Sequence, residues 1–279
     1  MIQAELNGKL PEVENSEDVL TSSVFGLLRY LPPQKGIFRI LEQTKDYSSR
    51  RNPLIVNLKA KNINLSQYDE VNYYFWEYSS KHGEPDLILI IRSSEKKIVP
   101  LMLCIEVKYL SEKSRAGEYD QLMDYCLSLE NAASRKTFSE EGIAEFEGVF
   151  AGVVYLTYFS QYAAVQESLK EIGKRGLKNY ESKLYELRWN DITRALKGIE
   201  SGGKYEQKIV NDLVELMKKK NFVDFEGFSD VNFALNYEPL FSPPLRILKP
   251  ERHDFRGFSE LEEPDILKFE TNVFLEVRK

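Results

Sequence analysis

The stretch PDLILIIRSSEKKIVPLMLCIEVKY, residues 85–109, decides the fold. Two apolar runs, PDLILII and IVPLMLCIEVKY, flank the polar segment RSSEKK. Short apolar runs joined by a polar turn predict a hairpin of strands buried on both faces. With the turn centred near Glu95 to Lys97, paired positions have numbers summing to about 192 to 194, which sets Asp86 opposite Glu106 to Lys108.

Three ionisable side chains interrupt this hairpin near one end. Glu106 and Lys108 are two apart on one strand, so the pleat turns both to the same face, and Asp86 arrives from the partner strand. A charge in an apolar strand is costly unless it is paired or bound to a cation. A structural ion pair needs one partner, and this arrangement offers three groups. Such a set suits phosphodiester hydrolysis by a water activated on a divalent ion. Mg2+ or Mn2+ takes hard oxygen ligands of the kind Asp86 and Glu106 supply, with the Val107 carbonyl between them. The ion lowers the pKa of a bound water and neutralises charge on the phosphate, and Lys108 is placed to position that water or stabilise developing charge.

Working outward, Val19, Leu20, Val24, Phe25, Leu27 and Leu28 recur at helical spacing over Glu17 to Tyr30, with Asn15 as a candidate cap and Leu31-Pro32-Pro33 as a stop. LIVNLKA (54–60) and VNYYFWEY (71–78) read as strands, the first after a polar loop carrying Arg50 and Arg51. Beyond the hairpin, a helix is expected over Glu118 to Leu129, a strand in FEGVFAGVVYLTYF, and a helix over Gln161 to Ile172. Two further helical stretches follow, Glu181 to Ile199 and Lys204 to Lys220. This alternation is an α/β order.

Composition narrows the class. Hydrophobic residues are 42% and charged residues 29% of the 279, as in ordinary globular chains. No run approaches the roughly 18 apolar residues a membrane helix needs. The first residues carry no basic and apolar leader, so a cytoplasmic address without membrane association is expected. Cys104 and Cys126 form no ligand motif and read as buried thiols. The net charge of −6 argues against a general nucleic-acid coat and leaves room for a local basic groove. Arg50 and Arg51, Lys113 and Arg115, Lys174 and Arg175, and Lys218 to Lys220 are candidates for it, each also explicable as solvated surface.

Pro85-Asp86 followed by Glu106-Val107-Lys108 resembles the signature of the PD-(D/E)XK nuclease superfamily, which has the restriction endonuclease-like fold. Gln121 and Tyr125, on one face of the next expected helix, resemble the Q-x-x-x-Y motif of the helicase-associated exonuclease branch, where the pair faces the catalytic strand. Glu17 resembles the upstream acidic residue that joins the metal shell, a role for which Glu14 and Asp18 also qualify. Helix capping would account for Glu17 equally well, and an ordinary amphipathic helix for the Gln and Tyr.

The resemblance covers about 14–172 and implies a central mixed sheet flanked by helices, with the site on the second and third core strands. It implies a catalytic set of Asp86, Glu106, Lys108, Gln121, Tyr125 and Glu17, with Mg2+ or Mn2+ held by Asp86, Glu106, Val107 and Glu17. Residues 173–279 are expected to be an α+β elaboration of a single catalytic unit. DNA is the partner implied, because most of the superfamily acts on DNA, and homodimers are common among its double-strand cutters.

A catalytically inactive scaffold of the same fold is the alternative, against which the intact Asp, Glu and Lys speak. Hydrolysis of a small phosphate ester is a third reading. Pro264-Asp265 with Glu276-Val277-Arg278 echoes the motif but has Arg278 in place of lysine, and reads as a terminal hairpin. His82 and His253 have no spacing that suggests a triad or zinc site.

Overall fold

The computed structural model describes residues 7, 17–77, 84–109, 121–135, 143, 146–174, 180–200 and 202–224, all within the unit Met1–Glu226. One sheet organises them. Its strands are β1 (Lys45–Asp46), β2 (Glu70–Phe75), β3 (Leu87–Arg92), β4 (Leu101–Val107), β5 (Val149–Thr157) and β6 (Leu184–Arg188), in the spatial order β1-β6-β5-β4-β3-β2. β2, β3 and β4 run antiparallel, β5 and β6 run parallel to β4, and β1 closes the edge antiparallel to β6. The helices are α1 (Glu17–Leu28), α2 (Ile37–Leu41), α3 (Leu54–Ala60), α4 (Gln121–Arg135), α5 (Tyr162–Lys174), α6 (Trp189–Lys197) and α7 (Lys204–Lys219). This is the expected α/β class, a mixed sheet with helices on both faces.

The strand period of two sorts the side chains into two cores. Leu87, Leu89 and Ile91 of β3 and Leu101, Leu103, Ile105 and Val107 of β4 pack with α1, α2, α3, α6 and α7. Ile88 and Ile90 with Met102 and Cys104 pack instead with Leu122, Tyr125 and Leu129 of α4 and Val165 of α5. Burial on both faces is why the hairpin reads as continuous apolar sequence. Its register, Leu87 with Ile105 through Ile91 with Leu101, carries the Asp86 position opposite Glu106, at the lower end of the expected range.

One irregularity sets what stands beside Glu106. Met102 pairs with Phe150, but Leu103 pairs with Gly152, so β5 bulges there and its side-chain alternation slips by one residue. Glu106 therefore pairs with Tyr155. Gly152 has φ +144, and a Cβ there would lie 2.3 Å from the Lys183 carbonyl oxygen, so only glycine fits the bulge.

Two expectations are corrected. LIVNLKA is helix α3 and not a strand: Leu54 and Leu58, one turn apart, are the buried pair, while Val56, Lys59 and Ala60 are exposed. The β-branched Ile55 and Val56 suggested a strand, and docking of a single stripe overrode that preference. Glu181 to Ile199 is not helical throughout, since Leu184–Arg188 forms β6 between β5 and β1 before α6 begins. A strand buried on both faces has no alternation to distinguish it from the helix that follows. β6 also places a strand from beyond residue 172 inside the main sheet.

Both cysteines are free and buried. Among the described residues no helix is long and apolar enough to cross a membrane. Glu14, Asn15, His82, Lys113, Arg115, Glu118 to Asp120, Arg175, His253 and the second Pro-Asp motif lie outside the described residues.

Candidate active site

The charged ends of β3 and β4 meet on the α4 side of the sheet. Asp86 lies just before β3, and its Oδ2 accepts a hydrogen bond of 2.7 Å from the Val107 N–H, which fixes the carboxylate against β4. Glu106 is 2% exposed, and its Oε1 is 2.8 Å from the Lys108 Nζ. Glu106 Oε2 is buried and receives no hydrogen bond, and the Asp86 carboxyl beside Glu106 can bond to it only through a shared proton. Lys108 Nζ also lies 3.5 Å from Glu17 Oε2, and Glu17 Oε1 accepts from the Tyr109 N–H at 3.1 Å. The first residue of α1 thus reaches the strand ends, while Asp18 beside it is exposed.

The electrostatics follow from packing two carboxyls into a dry strand end. Burial, and then the Asp86 charge, push Glu106 up to about 8 while Lys108 pulls the other way. Burial also raises Asp86, against the Val107 N–H and Lys108. At Lys108 burial works to lower the ammonium, but Glu106, Glu17 and Asp86 outweigh it and hold the group above its ordinary value. Like carboxylates side by side in low dielectric resist joint ionisation, and a cation between them removes the conflict.

Gln121 and Tyr125 belong to the same site. Gln121 Nε2 donates to the Tyr125 hydroxyl at 3.0 Å, and that hydroxyl donates to the Glu84 carbonyl at 3.1 Å. Tyr125 is 3% exposed in the core that also holds Cys104 of β4. One turn of α4 therefore grips the backbone two residues before Asp86 and holds the approach to β3 in place. All six side chains singled out in the sequence thus gather at one end of the β3–β4 hairpin.

The donor set suits a divalent ion. Two hard carboxylate groups share a buried corner, and one of their oxygens lacks any protein donor. Among the described residues no three acidic, histidine or cysteine side chains form a ready-made ligand cluster. Glu17, the third carboxylate, is turned to Lys108 and Tyr109.

Sequence reasoning missed two neighbours of this site. Tyr155, beside Glu106, is buried with its hydroxyl unpartnered. Glu186 pairs with Tyr155 in the next strand and holds Arg51 in an ion pair. A glutamate inside the apolar segment LYELR was the available signal for Glu186. Among the described residues Arg51 is a basic candidate at this face, whereas Lys218 pairs with Glu215 on exposed surface of α7.

No family model matches the sequence, and no curated protein matches it. Among solved structures, the chain is similar to MspJI restriction endonuclease in complex with a 27-mer oligonucleotide, at 13% identity and a TM-score of 0.28. The alignment covers 62% of this chain and spans about a third, 33%, of that one. A superposition this loose transfers neither residues nor activity, so the site is read from its own geometry.

Proposed function

We propose that this chain is a metal-dependent nuclease that hydrolyses phosphodiester bonds in DNA, a member of the PD-(D/E)XK superfamily. The observation that carries the reading is the pairing of the half-buried Asp86, just before β3, with the buried Glu106 of the adjacent antiparallel β4, with Lys108 beside them and Glu106 Oε2 without a donor. A structural ion pair explains Lys108 with one carboxylate. It does not explain the second carboxylate or the orphaned oxygen.

Asp86, Glu106 and the Val107 carbonyl would hold Mg2+ or Mn2+, which when bound supplies an acidified water and neutralises charge on the phosphate. The chain's own groups do the positioning. Lys108, kept protonated by Glu106 and Glu17, presents an ammonium toward the face where a phosphate approaches and stabilises the charge that develops there. Glu17 orients that ammonium through Oε2 and anchors the end of β4 through the Tyr109 N–H. Gln121 and Tyr125 fix the Glu84 carbonyl and so limit the drift of Asp86.

The test is cleavage of supercoiled plasmid and of a labelled single-stranded oligonucleotide by purified protein, with Mg2+, with Mn2+ and with EDTA. Cleavage is expected only with a divalent ion, and Asp86→Asn, Glu106→Gln and Lys108→Met are each expected to lower it by about a thousandfold, the scale of losing a transition-state charge contact. Cleavage that survives EDTA, or persists in all three variants, removes the proposal.

A further inference from the structure

Eight buried side-chain polar atoms lack a hydrogen-bond partner among the described residues, and four of them lie on or beside the α4 and α5 face of the sheet: Tyr47 Oη, Arg51 Nη1, Glu106 Oε2 and Tyr155 Oη. Glu106 of β4 pairs with Tyr155 of β5, and Tyr155 pairs with Glu186 of β6. Neighbours in parallel register share a face, so this row leads from the active site to Glu186 over two strand spacings, about 10 Å. Buried donors without acceptors are rare in native proteins, and a cluster of them marks a place where something else accepts.

The far end of the row is a built structure. Asp46, fully buried, accepts from the Ser48 N–H and hydroxyl at 3.2 and 2.7 Å, from the Asn52 N–H at 2.9 Å and from Asn57 Nδ2 at 2.8 Å. These bonds curl residues 46–52 into a loop that places Arg51 at φ +54, a strained conformation for an arginine. The guanidinium pairs with Glu186, which also accepts from the Ser160 hydroxyl. It lies 5.4 Å from the ring centroid of Tyr47 and 4.8 Å from that of Tyr162. Those two rings stack at 5.8 Å.

Just past the C-terminal end of β5, two aromatic rings face solvent on either side of Ser160: Phe159 is 68% exposed and Tyr162 is 37% exposed. Tyr162 also opens the 13-residue helix α5, whose N-terminus favours a negative group. Exposed rings beside a fixed guanidinium are what a strand with unpaired bases uses, since bases stack only when they are not paired and stacked within a duplex.

We propose that this row is a binding subsite for a single nucleic-acid strand, with Arg51 taking a backbone phosphate and Phe159 and Tyr162 stacking unpaired bases; the identity of the ligand rests on the nuclease reading of the Asp86 and Glu106 site. Glu186 and Asp46 hold Arg51 in position. The enzyme is therefore selective for single strands or frayed ends over intact duplex.

The experiment uses the full chain and a fluorescein-labelled 20-nucleotide DNA, single-stranded or annealed to its complement. Anisotropy in EDTA reads binding without turnover, and KM and kcat for cleavage are measured in Mg2+. Phe159→Ala and Tyr162→Ala, both at exposed positions, are expected to weaken single-strand binding about tenfold each. They should raise KM in proportion with kcat nearly unchanged. Arg51→Gln is expected to weaken binding by a similar factor and to reduce the slope of log K against log salt by about 0.7, one phosphate contact.

The double variant R51Q/E186Q removes both charges of the buried pair and repeats the Arg51 measurement without leaving Glu186 alone. A purely structural loop predicts lower melting temperatures with unchanged affinity and salt slope, and that result overturns the subsite. So does duplex binding as tight as single-strand binding. A wild type that binds the strand through these residues yet never cleaves removes the nuclease reading alone. A wild type that cleaves while Phe159→Ala, Tyr162→Ala and Arg51→Gln keep its KM removes the subsite alone, and a wild type that binds neither DNA removes both.

Discussion

The two faces of the same central strands have been put to opposite uses. On β4, Leu101, Leu103, Ile105 and Val107 turn to the layer of α1, α2, α3, α6 and α7, a continuous apolar core. One residue out of phase, Glu106 joins Tyr155 and Glu186 on the face of α4 and α5, where Glu106 Oε2 and the Tyr155 hydroxyl are buried without partners. Polar groups buried without partners destabilise a fold, so the first face stabilises the sheet while the second holds the carboxyls to which we assign the chemistry. The pleat keeps the two apart at a separation of a single residue.

The contrast breaks most visibly if activity and stability fail together. Asp86→Asn or Glu106→Gln is expected to lower kcat by about a thousandfold, near 4 kcal/mol of barrier. The metal-free melting temperature should hold or rise in Asp86→Asn, because one of two carboxyls in conflict has been neutralised while the Lys108–Glu106 pair is kept. Thermal denaturation in EDTA beside a cleavage assay checks both halves. Next in size, Leu103→Ala on the opposite face is expected to cost about 2–5 kcal/mol by denaturant unfolding, with kcat per folded molecule unchanged.

Gly152→Ala tests the irregularity that brings Tyr155 beside Glu106. The strained φ and the 2.3 Å approach to the Lys183 oxygen should cost about 1–3 kcal/mol and lower kcat as the strand beside Glu106 shifts. Tyr125→Phe removes the hydroxyl linking Gln121 to Glu84, a loss of about 1 kcal/mol, with a drop in kcat and little change in KM. Smallest is Lys35→Met. Its 2.9 Å pair with Glu206 is partly exposed and screened by solvent, so a nearly unchanged melting temperature and wild-type cleavage are expected.

What was legible in the sequence divides along the same line. The β3–β4 hairpin declared itself because both strands are buried on both sides, and charged residues among apolar ones stood out as Asp86, Glu106 and Lys108. Gln121 and Tyr125 were legible through helical spacing. Arg51, Tyr155 and Glu186 were not assembled, for two physical reasons. They come from a loop and two strands far apart in the chain, and the Gly152 bulge changes which residue of β5 faces Glu106. The glycine inside FAGVVYLT was a visible hint of such a bulge, but its direction depends on the Lys183 carbonyl of another strand's approach. β6 was absorbed into a helix for the same reason that the hairpin was readable: burial on both faces erases alternation, and here no polar turn separated strand from helix.

The claim on which the rest depends is that Asp86 and Glu106 together hold one divalent cation. Calorimetric titration of metal-free protein with Mn2+ measures this directly. One ion per chain is expected for the wild type, with binding lost or weakened at least a hundredfold in both Asp86→Asn and Glu106→Gln, the scale of removing a charged ligand from a buried site. Unchanged Mn2+ binding in the two variants would contradict the account.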